Sequence, residues 1–251
     1  MNTSTDINSA DTGGVLPTES QFSRVQLVLG GGTVERLSQL KAIIFGVGGV
    51  GSWCAECLVR TGITQLTMVD FDNVCPSNIN RQLMATTTTV GRPKVEVLRE
   101  RLLATNPQAQ IDTLQRMFTE EDADDFHLGS YDYIIDAIDS LKDKAALILL
   151  ACQTQATLYS SMGAALKLDP SRIRTTEFWK IEGDPLARAL RKRFKHEGRY
   201  PARKFTCVYS DEPARPRTEG QPNGSLAHIT AIFGFTLASL VINDAHASVC
   251  K

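Results

Sequence analysis

The sequence lacks the features that would mark a membrane, secreted or strongly charged protein. Its most apolar stretch, 229–242, has about 14 residues, fewer than the roughly 20 that span a bilayer, so we expect a core or dimer-interface helix there. The 251 residues carry a formal net charge of −1, so no overall positive charge points to nucleic acid. No secretory signal precedes the six scattered cysteines. We therefore expect reduced thiols, a cytoplasmic location and no membrane partner.

Patterns typical of metal sites and internal repeats are also missing. Cys54 and Cys57 form a C-x-x-C pair on a predicted helix, but no second pair completes a four-cysteine zinc site. His127, His196 and His246 show no metal-ligand spacing. We expect the two cysteines to pack against a sheet as small apolar residues.

The most informative segment that is present is an apolar run followed by glycines in G-x-G-x-x-G spacing. The glycines of this segment are Gly46, Gly48, Gly49 and Gly51. A helical pattern follows, and the next predicted strand ends in Asp70. Such a unit binds phosphates at the helix N-terminus and a ribose hydroxyl at the acid. It therefore predicts a nucleotide site, but NAD and ATP both remain open.

Polar residues that suit nucleotidyl transfer lie between Asp70 and the start of a predicted helix. They are Asp72, Asn78, Asn80, Arg81, Gln82 and Lys94. A site that adenylates a carboxylate needs cations on the phosphoryl oxygens, amides to orient them and a carboxylate for Mg²⁺. An oxidoreductase has no such need. Each residue alone could be an ordinary surface side chain, but the set favours an ATP site.

The motifs GVGGVG, D-F-D, N-I-N-R-Q, V-G-R-P-K and D-A-I-D-S occur in this order. They resemble the adenylating domain of the ThiF/MoeB/ubiquitin-activating-enzyme superfamily, over about 24–244. Within it, the chain is similar to the branch that dehydrates threonylcarbamoyladenosine in tRNA. MoeB-like members commonly carry paired C-x-x-C zinc motifs, and their absence here favours the tRNA branch.

The resemblance implies roles for particular residues. Arg81, Lys94 and Asp139 match catalytic positions, and Asp139 matches the carboxylate linked to Mg²⁺. From the sequence alone, Asp139 could instead cap the following helix. Arg24 matches an arginine that enters the ATP site of a neighbouring copy, which implies a homodimer. Asp136, three residues earlier at the end of a predicted strand, is expected to support the loop by hydrogen bonding.

The pattern of elements predicts an α/β fold. Strands and helices alternate up to about residue 161, which is typical of a Rossmann-like, doubly wound and mainly parallel sheet. Short strands and helices follow in a C-terminal extension. We expect a disordered tail at 1–20 and one ThiF-type adenylating domain at 21–251. Its nucleotide-binding core covers about 41–161, and its basic, substrate-binding extension covers about 170–251.

Apart from the family resemblance, the sequence favours a tRNA substrate because of a basic segment between Leu186 and Lys204. Its cations are Arg188, Arg191, Lys192, Arg193, Lys195, Arg199, Arg203 and Lys204. They could contact phosphates, while Phe194, Tyr200 and Phe205 could stack on bases. A solvated helix face is the alternative.

Other functions remain open at this stage. The chain could adenylate the C-terminal glycine of a ubiquitin-like sulfur carrier, oxidise a substrate with NAD(P), or bind a nucleotide without catalysis. The resemblance also leaves room for a sulfur-transfer partner such as a cysteine desulfurase. Cys207 is expected to be a plain buried thiol. His228, ahead of the last helix, is either a base near the reacting group or a surface histidine.

Overall fold

The computed structural model describes residues 19–213, 215–216, 220 and 223–250. Nearly all of the predicted disordered tail, 1–20, lies outside the described residues. The remainder forms one seven-stranded sheet with helices on both faces.

The strands of this sheet are β1 Lys41–Phe45, β2 Gln65–Val69, β3 Gln110–Leu114, β4 Tyr133–Asp136, β5 Thr157–Ser161, β6 Ile173–Glu177 and β7 Thr206–Ser210. Their order is β3-β2-β1-β4-β5-β7-β6. Every neighbouring pair is parallel except β6 and β7. The predicted mainly parallel, doubly wound sheet is confirmed, and the C-terminal extension adds two strands to it.

The helices of the described residues are α1 Ser23–Leu29, α2 Gly31–Gln39, α3 Gly51–Thr61, α4 Lys94–Thr105, α5 Leu141–Ala151, α6 Pro185–Glu197 and α7 Ala227–Val249. Local sequence fixes the bounds of α6 well. The Asp184 carboxylate accepts a hydrogen bond from the Ala187 N–H at 2.8 Å, and Pro185 occupies the first helical position. Gly198 ends the helix in the left-handed conformation.

The central strands are buried on both faces, as their apolar sequences require. On one face they pack with α3, α4 and α7, and on the other with α5 and α6. Because β1, β2, β4 and β5 run in the same direction, the loops that follow them meet at one edge of the sheet. This edge is where an α/β sheet binds its ligand.

Helix α7 is longer than predicted, with 23 residues rather than about 14. Its length and composition would allow it to cross a membrane, but core helices of soluble proteins meet the same two criteria. Of the most apolar window of the helix, 39% is buried inside the protein. Ile229, Phe233, Leu237 and Val241 are fully buried in the core. At Gly234 a side chain would collide with the Val50 carbonyl at the start of α3. Helix α7 is therefore a core helix in backbone contact with α3.

Candidate active site

A cleft of about 860 Å³ opens at the carboxyl edge of the sheet. The predicted site residues that line it are Gly46, Gly48, Gly49, Asp70, Asp72, Asn78, Arg81, Gln82, Lys94 and Asp139. Thus residues predicted from separate motifs across more than 90 positions lie around one cavity. Among the residues predicted for the nucleotide site, the exceptions are Gly51, Asn80 and Arg24.

The glycine turn forms one wall of the cleft. Gly51 lies behind that wall, where it begins α3; a Cβ there would lie well inside 3.0 Å of the Gly46 carbonyl oxygen. Only glycine permits this approach, so the role of Gly51 is to shape the turn. The first N–H groups of a helix lack intrahelical partners, and Gly48 and Gly49 face the cleft directly before α3. The turn therefore presents the positive end of α3 to an anion.

Asp70, Asp72 and Lys94 form a charged cluster beside this turn. The Lys94 ammonium lies 2.6 Å from the Asp72 carboxylate and 4.0 Å from that of Asp70. Each oxygen of Asp70 accepts a backbone N–H, one from Val47 and one from Asp72. Burial raises the pKa of Asp70, although the ammonium and the two N–H groups oppose the rise. The acid is held rigidly and keeps lone pairs for a hydroxyl donor.

Lys94 is more buried than its position at a helix start suggested. Its side chain is only 6% exposed, yet it lines the cleft. A Lys94→Ala protein would leave Asp70 and Asp72 without their nearest cation. This substitution would therefore disturb the charged cluster as well as the phosphate site, and Arg81 is the cleaner probe of the site.

Arg81 reaches the cleft from the segment after β2. Its guanidinium donates hydrogen bonds to the Ser77 carbonyl and to the Asn80 side chain, both at 2.9 Å. Asn80 in turn donates to the Ser225 carbonyl at 2.8 Å. The Asn80 amide thus holds Arg81 and the segment around 225, and Asn80 does not itself line the cleft.

Gln82 carries a polar atom that the protein does not satisfy. Its side chain is buried and lines the cleft, and its Oε1 has no hydrogen-bond partner among the described residues. A buried amide oxygen without a partner costs about 1–3 kcal/mol. This atom is suited to a donor on a bound ligand.

Asp136 supports the loop that carries Asp139, as predicted. One of its oxygens accepts the Ile138 N–H at 3.1 Å. The other accepts the Ser160 hydroxyl at 2.6 Å and the Lys144 ammonium at 2.7 Å. Asp136 and Lys144 are fully buried.

Lys144 was not among the residues predicted from the sequence. The available signal was a lysine that leads directly into the apolar stretch of α5, where a buried partner is required.

Asp139 is exposed at the cleft and forms no hydrogen bond or ion pair with another described residue. Ser140 occupies the N-cap of α5, and no side chain caps this helix. The capping alternative for Asp139 is therefore excluded. Asp143, in the first turn of α5, lines the same cleft.

The donor set near Asp139 fits magnesium. Mg²⁺ is usually bound by one or two carboxylates together with substrate phosphates, not by a cage of protein ligands. Asp139 and Asp143 supply two carboxylates to the cleft. No cluster of three or more histidine, cysteine, aspartate or glutamate side chains occurs in the described part of the chain.

The segment after β5 forms the far wall of the cleft, which sequence analysis did not predict. It covers 161–167 and ends in Lys167, whose side chain is buried. The Lys167 ammonium donates to the Ser210 and Glu212 carbonyls, and burial lowers its pKa. The only local sign in the sequence that this segment contributes to a site was a lysine after a run of small residues. The cleft therefore extends beyond the nucleotide motifs.

Three of the candidate residues, namely Arg24, Cys207 and His228, do not line the cleft. Arg24 is exposed on α1, outside the cleft of its own chain. Cys207 is fully buried in β7, and burial raises its pKa well above the ordinary value, so it is a plain buried thiol, as expected. His228 is the second residue of α7 rather than a residue ahead of it, and its ring contacts the Leu168 carbonyl at 3.1 Å.

The basic segment is divided by the fold into two groups of cations. One group is used within the protein: Arg191 and Arg203 donate to main-chain carbonyls, Arg193 pairs with Glu197, and Arg199 pairs with Glu120. The other group is exposed and forms no ion pair with a described residue: Arg188, Lys192, Lys195 and Lys204. Only the second group is well placed to contact a partner's phosphates.

Comparison with known proteins agrees with this geometry. The ThiF family matches residues 20–246. The tRNA threonylcarbamoyladenosine dehydratase of Haemophilus influenzae is 34% identical over 242 residues, covering 90% of this chain and 93% of that protein. The Bacillus subtilis protein of the same name is 34% identical over 240 residues, covering 89% and 94%. The crystal structure of the Escherichia coli dehydratase TcdA with ATP matches with a TM-score of 0.84 and 33% identity, covering 92% and 95%. The chain therefore belongs to the ThiF family.

Proposed function

We propose that this protein is an ATP-dependent tRNA threonylcarbamoyladenosine dehydratase. The observation that carries the proposal is the convergence of Lys94, Arg81 and the glycine turn on one cleft that continues past the nucleotide motifs to 161–167. Two dehydratases are 34% identical to this chain over nearly their whole length, which supports the same activity. The reaction adenylates the threonyl carboxylate of the modified nucleoside and then closes a ring on it.

The first step needs negative charge to be stabilised at the α-phosphate. The carboxylate oxygen attacks the α-phosphorus of ATP, the bond to the bridging oxygen breaks, and pyrophosphate leaves. Arg81 and Lys94 stabilise the phosphoryl oxygens, and the first turn of α3 supplies N–H donors. Asp70 receives a ribose hydroxyl. Asp139, with Asp143 beside it, would hold Mg²⁺, which neutralises phosphate charge when bound.

The second step needs no thiol. The carbamoyl group of the same nucleoside attacks the acyl carbon, the proton that it carries is released, and AMP departs with the bond pair. The net change is the loss of water from the nucleoside and the hydrolysis of ATP to AMP and pyrophosphate. Both reacting groups belong to one substrate, which gives a high effective concentration. The complete burial of Cys207 agrees with a route that forms no thioester.

We also propose that the active form is a homodimer in which Arg24 enters the partner's ATP site. Helix α1 has no buried residue. Leu27 and Val28 on it are 78% and 80% exposed. Apolar exposure on this scale is unfavourable unless a second surface covers it. A second copy that packs on α1 would bring a cation to the triphosphate from outside the chain.

The remaining partners follow from the proposed reaction. The four exposed cations of the basic segment would contact tRNA phosphates. A cytoplasmic location is supported by six cysteines that are all free thiols. A sulfur-transfer partner stays a prediction from the family resemblance, and it is tested by adding a cysteine desulfurase to the assay below.

The experiment that tests the function is pyrophosphate exchange into ATP with different substrates in turn. We expect exchange with tRNA that carries threonylcarbamoyladenosine, and none with the same tRNA lacking the modification. Exchange that instead depends on a carrier protein ending in Gly-Gly, or an absorbance change with NAD(P)H, would refute the proposal.

Arg81→Ala tests the assignment within the site. Removing one electrostatic donor to the reacting phosphates should slow exchange about 100- to 1,000-fold. Arg92→Ala is the matched control, because Arg92 lies nearby in a surface ion pair with Glu100 and outside the cleft lining. Near-normal exchange in a folded Arg81→Ala protein would remove Arg81 from the site.

A further inference from the structure

Two aromatic side chains are exposed together at the end of α6. Trp179 is 42% exposed and Tyr200 is 55% exposed. Their ring centroids lie 6.2 Å apart with a tilt of 43°. Trp179 belongs to a short 3₁₀ helix after β6, and Tyr200 follows α6. Large rings usually bury most of their surface, so a pair left in water indicates a surface that contacts a partner.

The protein holds this pair, which we call the aromatic platform, on a rigid base. Phe178 is fully buried and makes an edge contact with Trp179 at 5.0 Å. Phe178 also packs against Phe194 and Phe205. These two rings are buried, so the prediction that they stack on RNA bases is wrong; they support the platform from below. A rigid platform loses little entropy when it binds.

Positive charge lies beside the platform. Arg188, Lys192 and Lys195 are spaced four and three residues apart, which places them on one face of α6. All three are exposed, and so is Lys180 next to Trp179. None of the four forms an ion pair with a described residue. Aromatic rings next to unpaired cations match the two parts of a nucleotide, a base and a phosphate.

We propose that the aromatic platform stacks an unpaired base of the tRNA loop that carries the modified nucleoside. This inference rests on the proposed function. Helix α6 begins at the cleft, where Pro185 and Leu186 line it, and its 13 residues span about 20 Å to the platform. A loop whose modified base enters the cleft would then place another base on the platform. Paired bases are already stacked on one another, so the platform selects single-stranded RNA.

Tryptophan fluorescence tests stacking directly, because the chain has only two tryptophans. In a Trp53→Phe protein, Trp179 is the only emitter. We expect saturable quenching when an RNA hairpin with the sequence of the loop that carries the modified nucleoside is added, and much less with a blunt duplex of the same length. The matched Trp179→Phe protein, which emits from Trp53, should show little change. Equal responses to hairpin and duplex would overturn the proposal.

Binding measurements separate stacking from charge. Trp179→Ala and Tyr200→Ala should each weaken hairpin binding about 5- to 150-fold, with the slope of log K against log salt unchanged. Trp179→Phe should retain most of the affinity. Neutralising Arg188, Lys192, Lys195 and Lys204 should instead flatten that slope by a little under one unit for each lost phosphate contact.

The proposal and the function it rests on can fail separately. If the unaltered protein converts the modified tRNA but both alanine variants bind the hairpin normally, the platform does not contact RNA and the function stands. If the unaltered protein shows no exchange that depends on modified tRNA, the proposed function falls. Two independent substitutions, at Trp179 and at Tyr200, guard against the misfolding of one variant.

Discussion

The buried pair of Asp136 and Lys144 gives a strong test of how the site is built. Replacing Lys144 with methionine keeps the length of the side chain but leaves the Asp136 carboxylate fully buried without its cation. The lost contact is 2.7 Å long between two side chains with no exposed surface. Two neutral donors, Ser160 and the Ile138 N–H, would remain. Breaking a buried pair in this way costs about 3–5 kcal/mol.

For a chain of this size, about 1 kcal/mol corresponds to roughly 2–4 °C in Tm. Lys144→Met should therefore lower Tm by roughly 6–20 °C in thermal unfolding followed by circular dichroism. Lys142→Met is the control, because Lys142 is exposed on the same helix and should change stability by about 0.5 kcal/mol or less. Adding Asp136→Asn to Lys144→Met should cost less than the sum of the two single losses. A Lys144→Met protein as stable as Lys142→Met would refute the reasoning.

Three further outcomes are expected. Co-expressed Arg24→Ala and Asp139→Ala chains should regain activity, because one site of each mixed dimer keeps both residues; inactive, verified mixed dimers would exclude the role in trans. Asp139→Asn should raise the Mg²⁺ concentration that gives half-maximal exchange at least about tenfold, and Asp143→Asn less, because Asp139 is exposed at the cleft whereas Asp143 is half-buried; an unchanged Mg²⁺ requirement would contradict the ligand assignment. Cys207→Ala should keep kcat within about threefold, since the thiol is sealed from substrate, and a loss of activity in a stable protein would restore a covalent step.

The nucleotide half of the fold could be predicted because its signals are local. An apolar run, a glycine turn and the terminal Asp70 specify a strand, a helix start and a ligand edge within some 30 residues. Lys144 could not be paired with Asp136 in this way, since that pairing depends on how α5 packs under the sheet. The burial of Phe194 was readable in part, because it follows Ala187 and Leu190 at helical spacing on the buried face of α6. The exposure of Trp179 could not be read from the sequence, because it depends on where β6 ends beside α6.

The close packing of Gly234 on Val50 has a consequence for the order in which the protein becomes active during synthesis. About 180 residues separate the glycine turn from this contact. At about 5–20 residues per second, a ribosome needs roughly 10–40 s to cover that distance. Until α7 has been made, it does not cover the outer face of α3. The glycine turn that should hold phosphate then lacks the packing that stabilises it. A nascent or truncated chain without α7 is therefore not expected to consume ATP, so nucleotide binding begins only after α7 has been made.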